Sequence, residues 1–293
     1  MTPAGDQLTQ TAAVRTDLRG ALGVIAALDT GATSAGAGTV LLLPGYTGSK
    51  EDFAPILDPL RDRGFRAVAI DLPGQYESAG PDDEAAYSPL ALGEVVAGVT
   101  AELAEQGPVV LLGHSFGGLV ARGAVLAGAP VAGLVLLCSG PAAFHSGQRL
   151  ESLRVGDPVL RQQGKAVVYD GTVAVDRAVR KVVPVAVAEF LRRRFLDSTT
   201  AGLLGMGAAL QNEPDRVDQL RQALVVTGVP AAVVAGRDDD AWPLVDQQDM
   251  ALRLGTELVL IEQAAHSPAV ENPDGLLAVL LPMLDDWLRR RFR

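Results

Sequence analysis

Residues 111–118 read Leu-Leu-Gly-His-Ser-Phe-Gly-Gly, an apolar stretch that gives way to small residues around one hydroxyl. The apolar residues from Val109 to Leu112 predict a buried strand, and those from Leu119 to Leu126 predict a helix. Ser115 then lies on a tight strand-to-helix turn. Bulky neighbours would clash in such a turn, which explains the glycines two positions before and after the serine. This G-x-S-x-G pattern predicts a serine hydroxyl exposed above a sheet, at the positive end of a helix.

An alternative interpretation without a functional role is an ordinary connection between a strand and a helix, because glycine and serine are common residues. The rest of the chain decides between the two interpretations. If the serine is a nucleophile, a base and an acid must lie at other strand ends of the same sheet.

Strand-like and helix-like segments alternate through most of the chain, after a predicted N-terminal hairpin over residues 14–28. We predict strands at 39–43, 66–71, 108–112, 132–138, 230–235 and 257–261, and helices at 51–63, 89–105, 116–127, 244–254 and 273–290. Short apolar strands separated by helices are typical of a parallel sheet that is covered on both faces. The fold class is therefore α/β, with a mostly parallel central sheet and helices on both faces.

The alternation stops after Pro141 and resumes near residue 227. Residues 142–226 contain no convincing strand, but 185–196 and 216–223 have helical patterns. We therefore predict a core formed by residues 1–140 and 227–293, with 141–226 as a helical cap insertion. Such an insertion would lie over the carboxyl ends of the strands, where ligands bind in open α/β sheets.

Three histidines are candidates for the base that a serine nucleophile needs. His114 adjoins Ser115, so its side chain should leave the turn in another direction and serve in packing. His145 begins the insertion, where an exposed position and one facing the substrate are equally compatible with the sequence. His266 follows the predicted strand 257–261 and is the best candidate, although a simple loop histidine would fit the same position.

An acid that orients the histidine should come from the preceding strand end. Residues 236–243 read Gly-Arg-Asp-Asp-Asp-Ala-Trp-Pro, so Asp238, Asp239 and Asp240 are all candidates. Such a carboxylate holds the imidazole tautomer and stabilises the imidazolium. The spacing alone leaves the choice open, and a solvated turn or helix cap would also explain the three aspartates.

The chain resembles the α/β-hydrolase superfamily over nearly all of its length. Gly236-x-x-Asp239-x-x-x-Pro243 is similar to the acid loop of the superfamily, which singles out Asp239. His266-x-x-x-x-Glu271-x-Pro273 is similar to its histidine loop. The resemblance implies an α/β-hydrolase fold and a catalytic triad of Ser115, Asp239 and His266.

The resemblance also implies an oxyanion hole made of two backbone N–H groups. These map to Phe116, directly after the serine, and to Tyr46, in the segment Leu-Pro-Gly-Tyr-Thr-Gly at 43–48. Relatives commonly have His-Gly in that loop, so this chain departs from the pattern there. Residues 71–78, Asp-Leu-Pro-Gly-Gln-Tyr-Glu-Ser, look like the loop after the fourth strand of the superfamily, for which a structural role is expected.

The resemblance implies a serine hydrolase of the esterase or lipase type, which cleaves a small to medium carboxylic ester or thioester through an acyl-enzyme. Alternatives are other reactions of the superfamily, namely carbon–carbon bond hydrolysis, thioester release, peptide cleavage and cofactor-free haloperoxidation. A ligand-binding protein on a hydrolase scaffold is another. A serine nucleophile disfavours the dehalogenase and epoxide-hydrolase branches, which use aspartate. The residues that bind the substrate are unknown, although Phe144, Tyr169, Phe190, Met206 and 192–194 belong to the predicted cap.

Composition limits the compartment and the partners. The chain has 293 residues, a net charge of −10 and one cysteine, Cys138, so an intrachain disulfide is excluded. Residues 1–10 do not resemble a secretory signal, and glycines and prolines interrupt the apolar stretch 123–144, which argues against a membrane span. We therefore expect a cytoplasmic enzyme with a small-molecule acyl substrate, without stable membrane insertion, nucleic acid, cofactor or metal. The oligomeric state is unknown from the sequence.

Overall fold

An eight-stranded sheet forms the centre of the computed structural model, which describes residues 6–32, 37–171 and 184–289. The strands are β1 Val14–Gly20, β2 Gly23–Asp29, β3 Thr39–Leu43, β4 Arg66–Ile70, β5 Val109–His114, β6 Gly133–Leu137, β7 Ala231–Gly236 and β8 Leu258–Ile261. Their spatial order is β1-β2-β4-β3-β5-β6-β7-β8. Strand β2 runs antiparallel to β1 and β4, and all other pairs are parallel. The predicted hairpin and mostly parallel sheet are confirmed.

Helices lie along the chain between the strands. They are α1 Ala54–Asp62, α2 Pro89–Ala104, α3 Phe116–Leu126, α4 Gln148–Gln163, α5 Val185–Asp197, α6 Thr200–Asn212, α7 Val217–Thr227, α8 Leu244–Leu254, α9 Pro268–Glu271 and α10 Pro273–Arg289. Short 3-10 turns at Lys50–Phe53 and Glu84–Tyr87 precede α1 and α2. No helix in the described ranges is both long enough and apolar enough to span a membrane.

Both faces of the sheet are buried because successive strand residues point to opposite sides. In β3, Leu41 and Leu43 belong to the apolar cluster that includes residues of α2, α3, α7 and α8. Val40 and Leu42 belong to the cluster on the other face, with residues of α1 and α10. This two-sided burial explains why the central strands β3 to β7 are almost continuously apolar in sequence, whereas the edge strand β1 is not buried and contains polar residues.

The observed boundaries differ from the predicted ones in a few places. The helix predicted at 51–63 begins instead as the 3-10 turn at Lys50–Phe53, and α1 starts only at Ala54. The strand predicted at 108–112 extends to His114, because Gly113 and His114 continue the ladder with β6. The helix predicted at 273–290 is observed over Pro273–Arg289, and residue 290 lies outside the described part of the chain.

The segment between β6 and β7 is helical in its described residues, as expected. Helix α6 packs against α4 and the 3-10 turn at Glu84–Tyr87, whereas α7 packs against α3 and α8 beside the sheet. Helices α4 and α6 were not predicted individually, and α7 begins and ends later than the predicted helix at 216–223. The division into core and cap at 140/141 and 226/227 stays a prediction.

A buried ion pair ties both ends of this segment to α3. Arg122 on α3 is 2% exposed; one guanidinium nitrogen donates to the carbonyl of Pro141 and the other to Glu213 Oε1 at 2.9 Å. The Ala143 N–H also donates to the Glu213 carbonyl at 2.8 Å. One side chain of α3 thus contacts both the start of the segment and the loop between α6 and α7.

We expect Arg122→Met to lower the free energy of unfolding by about 3 kcal/mol, because it leaves the Glu213 carboxylate buried without its main partner. The double variant Arg122→Met/Glu213→Leu should recover part of this loss, since no uncompensated charge remains. Urea unfolding of the wild type, both single variants and the double variant measures the coupling. A single variant as stable as the wild type would contradict this role for the ion pair.

Candidate active site

The backbone at Ser115 is strained, with φ 55° and ψ −120° at the junction of β5 and α3. The Ser115 N–H donates to the Leu137 carbonyl of β6 at 2.8 Å, which holds the turn against the sheet. A Cβ atom on Gly117 would lie 2.5 Å from the carbonyl oxygens of Leu43 and Pro44, and one on Gly113 would collide with Gly117 itself. The glycines of the G-x-S-x-G pattern are therefore required by close backbone packing.

Three predicted side chains meet in one hydrogen-bonded chain. Ser115 Oγ lies 2.9 Å from His266 Nε2, and His266 Nδ1 lies 2.8 Å from Asp239 Oδ1. Ser115 is 5% exposed and His266 is 8% exposed. This arrangement lets a neutral imidazole donate through Nδ1 and accept a proton at Nε2. The structure therefore brings together Ser115, His266 and Asp239, which lie on three different strand ends.

Asp239 is the aspartate that contacts His266, whereas Asp238 and Asp240 are exposed. Burial raises the pKa of Asp239, but the hydrogen bond and charge of His266 and the N–H of Ala241 outweigh it, so the pKa lies below its ordinary value. Gln247 on α8 donates to the second carboxylate oxygen, Oδ2, at 2.9 Å. The carboxylate is thus ionised and held on both oxygens.

The loop that carries His266 is fixed by Glu271. Its Oε2 accepts the N–H groups of Ala265 at 2.7 Å and Ser267 at 3.0 Å, on either side of the histidine. Trp242, which follows the acid, is buried; its ring centroid lies 6.5 Å from that of His266, and its indole N–H donates to the Ala142 carbonyl. Glu271 therefore holds the backbone on either side of His266, and Trp242 packs beside its imidazole.

The two other histidines lie outside the hydrogen-bonded chain. His114 is buried, and its Nε2 lies 2.6 Å from the carbonyl oxygen of His266. Burial and the nearby His266 lower the pKa of His114 to about 4, so its imidazole is neutral near pH 7. His145 is exposed, and its Nε2 lies 2.7 Å from Asp246 Oδ2. The packing expectation for His114 and the exposed alternative for His145 agree with these positions.

The two predicted oxyanion donors come from different segments. Phe116 is the first residue of α3, so its N–H has no acceptor within the helix. Tyr46 lies in the β3 loop, which we define as residues 44–49. In that loop a Cβ atom on Gly45 would lie only 3.0 Å from Ser115 Cβ and 3.4 Å from Ser115 Oγ. The backbone beside Tyr46 therefore runs directly past the serine.

Residues of the predicted cap occupy several environments. Phe144 and Met206 are buried in the cluster that also contains Trp242, and the Phe144 and Trp242 ring centroids are 4.4 Å apart. Phe190 packs edge-on against Tyr76, with Arg193 and Arg194 near its ring, and Tyr169 packs against Phe195. Arg194 also pairs with Asp52 at 2.6 Å, and Arg192 lies 3.7 Å from Asp170. These contacts give most of the candidate side chains a packing partner.

Two polar residues near the site were not identified from the sequence. Gln247 reaches Asp239 from the second turn of α8, and Gln75 donates to the carbonyl of Gly45 beside Ser115. Gln75 belongs to the loop 71–78, whose resemblance to a superfamily loop of structural role was the only indication in the sequence. Gln247 had no signal, because its contact depends on the direction of α8 relative to β7.

Among the described residues, two clusters of potential metal ligands overlap this site, and both include His266; the more exposed one adds Asp239 and Asp240, and the buried one adds His114 and Cys138. Donor atoms of His114, Cys138 and His266 all lie within 4.8 Å of one another. Both ring nitrogens of His266 already contact Ser115 and Asp239, and burial raises the pKa of the Cys138 thiol well above its ordinary value. A metal ion at this position would have to displace the contacts of His266.

The buried His114 predicts a pH dependence of stability. Its pKa of about 4 lies below the ordinary 6.5, so between these values the unfolded chain binds more protons than the folded protein. The free energy of unfolding should therefore fall as the pH falls from 6.5 towards 4, by roughly 1.4 kcal/mol per pH unit from this group at most. In urea unfolding at pH 7 and pH 5, His114→Gln should lose less stability between the two values than the wild type; equal losses would contradict the argument.

Comparisons with known proteins agree on the fold. A model of the alpha/beta hydrolase family matches residues 40–279. A pimeloyl-[acyl-carrier protein] methyl ester esterase from Xylella fastidiosa is 27% identical over 252 residues, which cover 82% of this chain and 92% of the relative. The family model thus extends from β3 into α10 and includes all three residues of the hydrogen-bonded chain.

Two solved structures give the same result at lower identity. A thermophilic esterase from Thermogutta terrifontis superposes with a TM-score of 0.72 at 23% identity, covering 94% of this chain and 100% of that one. An esterase from Exiguobacterium antarcticum superposes with a TM-score of 0.74 at 20% identity, covering 93% and 100%. By its matched sequence and its fold, this chain belongs to the alpha/beta hydrolase family.

Proposed function

We propose that this protein is a serine hydrolase that cleaves a small to medium carboxylic ester or thioester through an acyl-enzyme. The observation that carries the proposal is the chain of contacts from Asp239 through His266 to Ser115, at 2.8 Å and 2.9 Å. A serine hydroxyl becomes a useful nucleophile only when such a base can take its proton. The esterase relative and the two esterase structures support ester bonds as the substrate class.

In the proposed reaction, Ser115 Oγ attacks the acyl carbonyl carbon while its proton passes to His266 Nε2. The Asp239 carboxylate stabilises the imidazolium that forms. The N–H groups of Tyr46 and Phe116 donate to the oxyanion of the tetrahedral intermediate. His266 then returns the proton to the departing alcohol or thiol. Water, deprotonated by His266, attacks the acyl-enzyme, and His266 returns that proton to Ser115 Oγ as the acid leaves.

We propose that α4, α5 and α6 form the cap over this site, while α7 packs with the core. Tyr46 packs against a cluster that contains Leu160, Phe195, Leu203 and Leu204, so the β3 loop adjoins a cluster to which all three helices contribute. The Trp242 ring lies near that of His266 and Phe144 packs on Trp242, and these apolar side chains favour an apolar acyl group. We further propose a cytoplasmic location, which suits a chain with one cysteine.

Ser115→Ala should lower the hydrolysis of short p-nitrophenyl esters by more than about a thousandfold, because the variant has no nucleophile. A fluorophosphonate probe should label the wild type at Ser115 and leave the variant unlabelled. Ser146→Ala is a matched control, since Ser146 Oγ lies 3.2 Å from His145 Nδ1 on the surface. Full activity in Ser115→Ala would overturn the assignment.

A panel of acyl esters and thioesters of increasing chain length then measures the size of the acyl pocket and the preferred leaving group. Slow turnover of every compound, with tight retention of one ligand and an equal thermal shift in Ser115→Ala, would instead favour a ligand-binding protein.

The three neighbouring aspartates provide an internal comparison. Asp239→Asn should lower kcat by roughly 10⁴-fold, because the asparagine amide stabilises the wrong tautomer of His266. Asp238→Asn and Asp240→Asn change exposed carboxylates and should retain kcat within about twofold, since water and salt screen exposed charges. Steady-state kinetics of the three variants measures the difference. A comparable loss in all three would show that charge near the site, rather than contact with His266, is what matters.

A further inference from the structure

Gln75 is a buried glutamine in the β4 loop, which we define as residues 71–78. It is 2% exposed, and both ends of its amide have partners. Nε2 donates to the carbonyl oxygen of Gly45 at 2.8 Å, and Oε1 accepts the N–H of Leu72 at 3.0 Å. The Met206 sulfur lies 3.9 Å from Nε2. A buried polar side chain with this geometry has one orientation, set by its partners.

The carbonyl that Gln75 binds belongs to the same peptide group as the N–H of Tyr46. This peptide is trans and planar, so its C=O and N–H groups point in opposite directions. Fixing the Gly45 oxygen therefore fixes the direction of the Tyr46 N–H. The Gly48 N–H donates to the same oxygen at 3.0 Å, but it belongs to the β3 loop itself. Gln75 thus links this peptide to the loop at the end of another strand, β4.

Gln75 is itself held by residues on both sides. The Gly74 carbonyl accepts the N–H of Thr199 at 2.8 Å, and the Tyr76 N–H donates to Ser198 Oγ at 3.0 Å. Ser198 and Thr199 form the junction between α5 and α6. The backbone that carries Gln75 therefore cannot shift without breaking contacts to that junction.

We propose that Gln75 is a positioning residue, whose amide holds the Gly45–Tyr46 peptide so that the Tyr46 N–H faces the oxyanion formed at Ser115. This inference rests on the proposed function. Glutamine suits the position because it supplies a donor for Gly45 and an acceptor for Leu72 together. A glutamate would place a carboxylate oxygen against the Gly45 carbonyl, and methionine would leave the Leu72 N–H without this acceptor.

The kinetic test compares Gln75→Met and Gln75→Glu with the wild type. Because the oxyanion donor acts in the transition state, we expect kcat for a p-nitrophenyl ester to fall by about 10- to 100-fold while KM stays within about threefold. The pH midpoint of kcat should not move, since His266 and Asp239 keep their contacts. Gln106→Met is the control: it changes an exposed amide whose oxygen accepts from Arg66 instead. A shifted midpoint, a loss confined to KM or an equal loss in the control would overturn the proposal.

A second measurement does not depend on turnover. The chain has four tyrosines, so protein labelled with ¹⁵N-tyrosine has four backbone amide signals, and Tyr46→Phe identifies that of Tyr46. We expect Gln75→Met to move the Tyr46 signal more than those of Tyr87 and Tyr169, and Gln106→Met to leave it in place. In the fluorophosphonate adduct, the Tyr46 signal should move downfield in the wild type and less in the variant.

The two measurements separate the two hypotheses. A wild type that is neither labelled nor active overturns the proposed function, whereas an unmoved Tyr46 signal in Gln75→Met overturns the role of Gln75. The role of Gln75 is also overturned if the wild type is active and both variants fold with unchanged kcat. If Gln75→Met does not fold, Gln75→Glu, which keeps an acceptor for Leu72, provides the same readouts.

Discussion

The structure depends on one constraint, the left-handed backbone at Ser115. A non-glycine residue in this region of φ costs conformational free energy. The conformation therefore persists only where the surrounding structure enforces it. Here the surroundings are backbone groups: the Leu137 carbonyl accepts the Ser115 N–H, and Gly117 packs against the carbonyls of Leu43 and Pro44. The strands on either side of β5 therefore take part in holding the turn. The position of one hydroxyl is set by three adjacent strands.

The remaining groups converge on that hydroxyl from separate strand ends, and each has its own support. Glu271 holds the loop around His266, Gln247 holds Asp239, and Gln75 holds the peptide before Tyr46. Preorganised groups of this kind lower a reaction barrier because they need little rearrangement when charge develops. The contacts of Glu271 and Gln247 span 4 to 8 residues of sequence, whereas that of Gln75 spans 30 and depends most directly on the fold.

That distinction explains how far sequence reasoning reached. The sheet could be predicted because burial on both faces leaves nearly unbroken apolar strands, and the turn because only glycine fits beside Ser115. His266 and Asp239 could be placed at strand ends, although choosing Asp239 required the resemblance of its loop to a known family. Gln75 and Gln247 could not be found, because their partners depend on how loops and helices approach one another in space. Helices α4 and α6 were missed because the apolar pattern of the insertion reflects packing between its own helices and nearby loops.

The hydrogen bond from the Ser115 N–H to Leu137 also has a dynamic consequence. It extends the ladder between β5 and β6, in the middle of the sheet, where opening requires the largest part of the structure to unfold. The serine is therefore part of the most stable region of the molecule. Helices α4, α5 and α6 have exposed surfaces and lie outside the sheet, so they open at a lower free energy. Those helices can therefore move while Ser115 stays fixed.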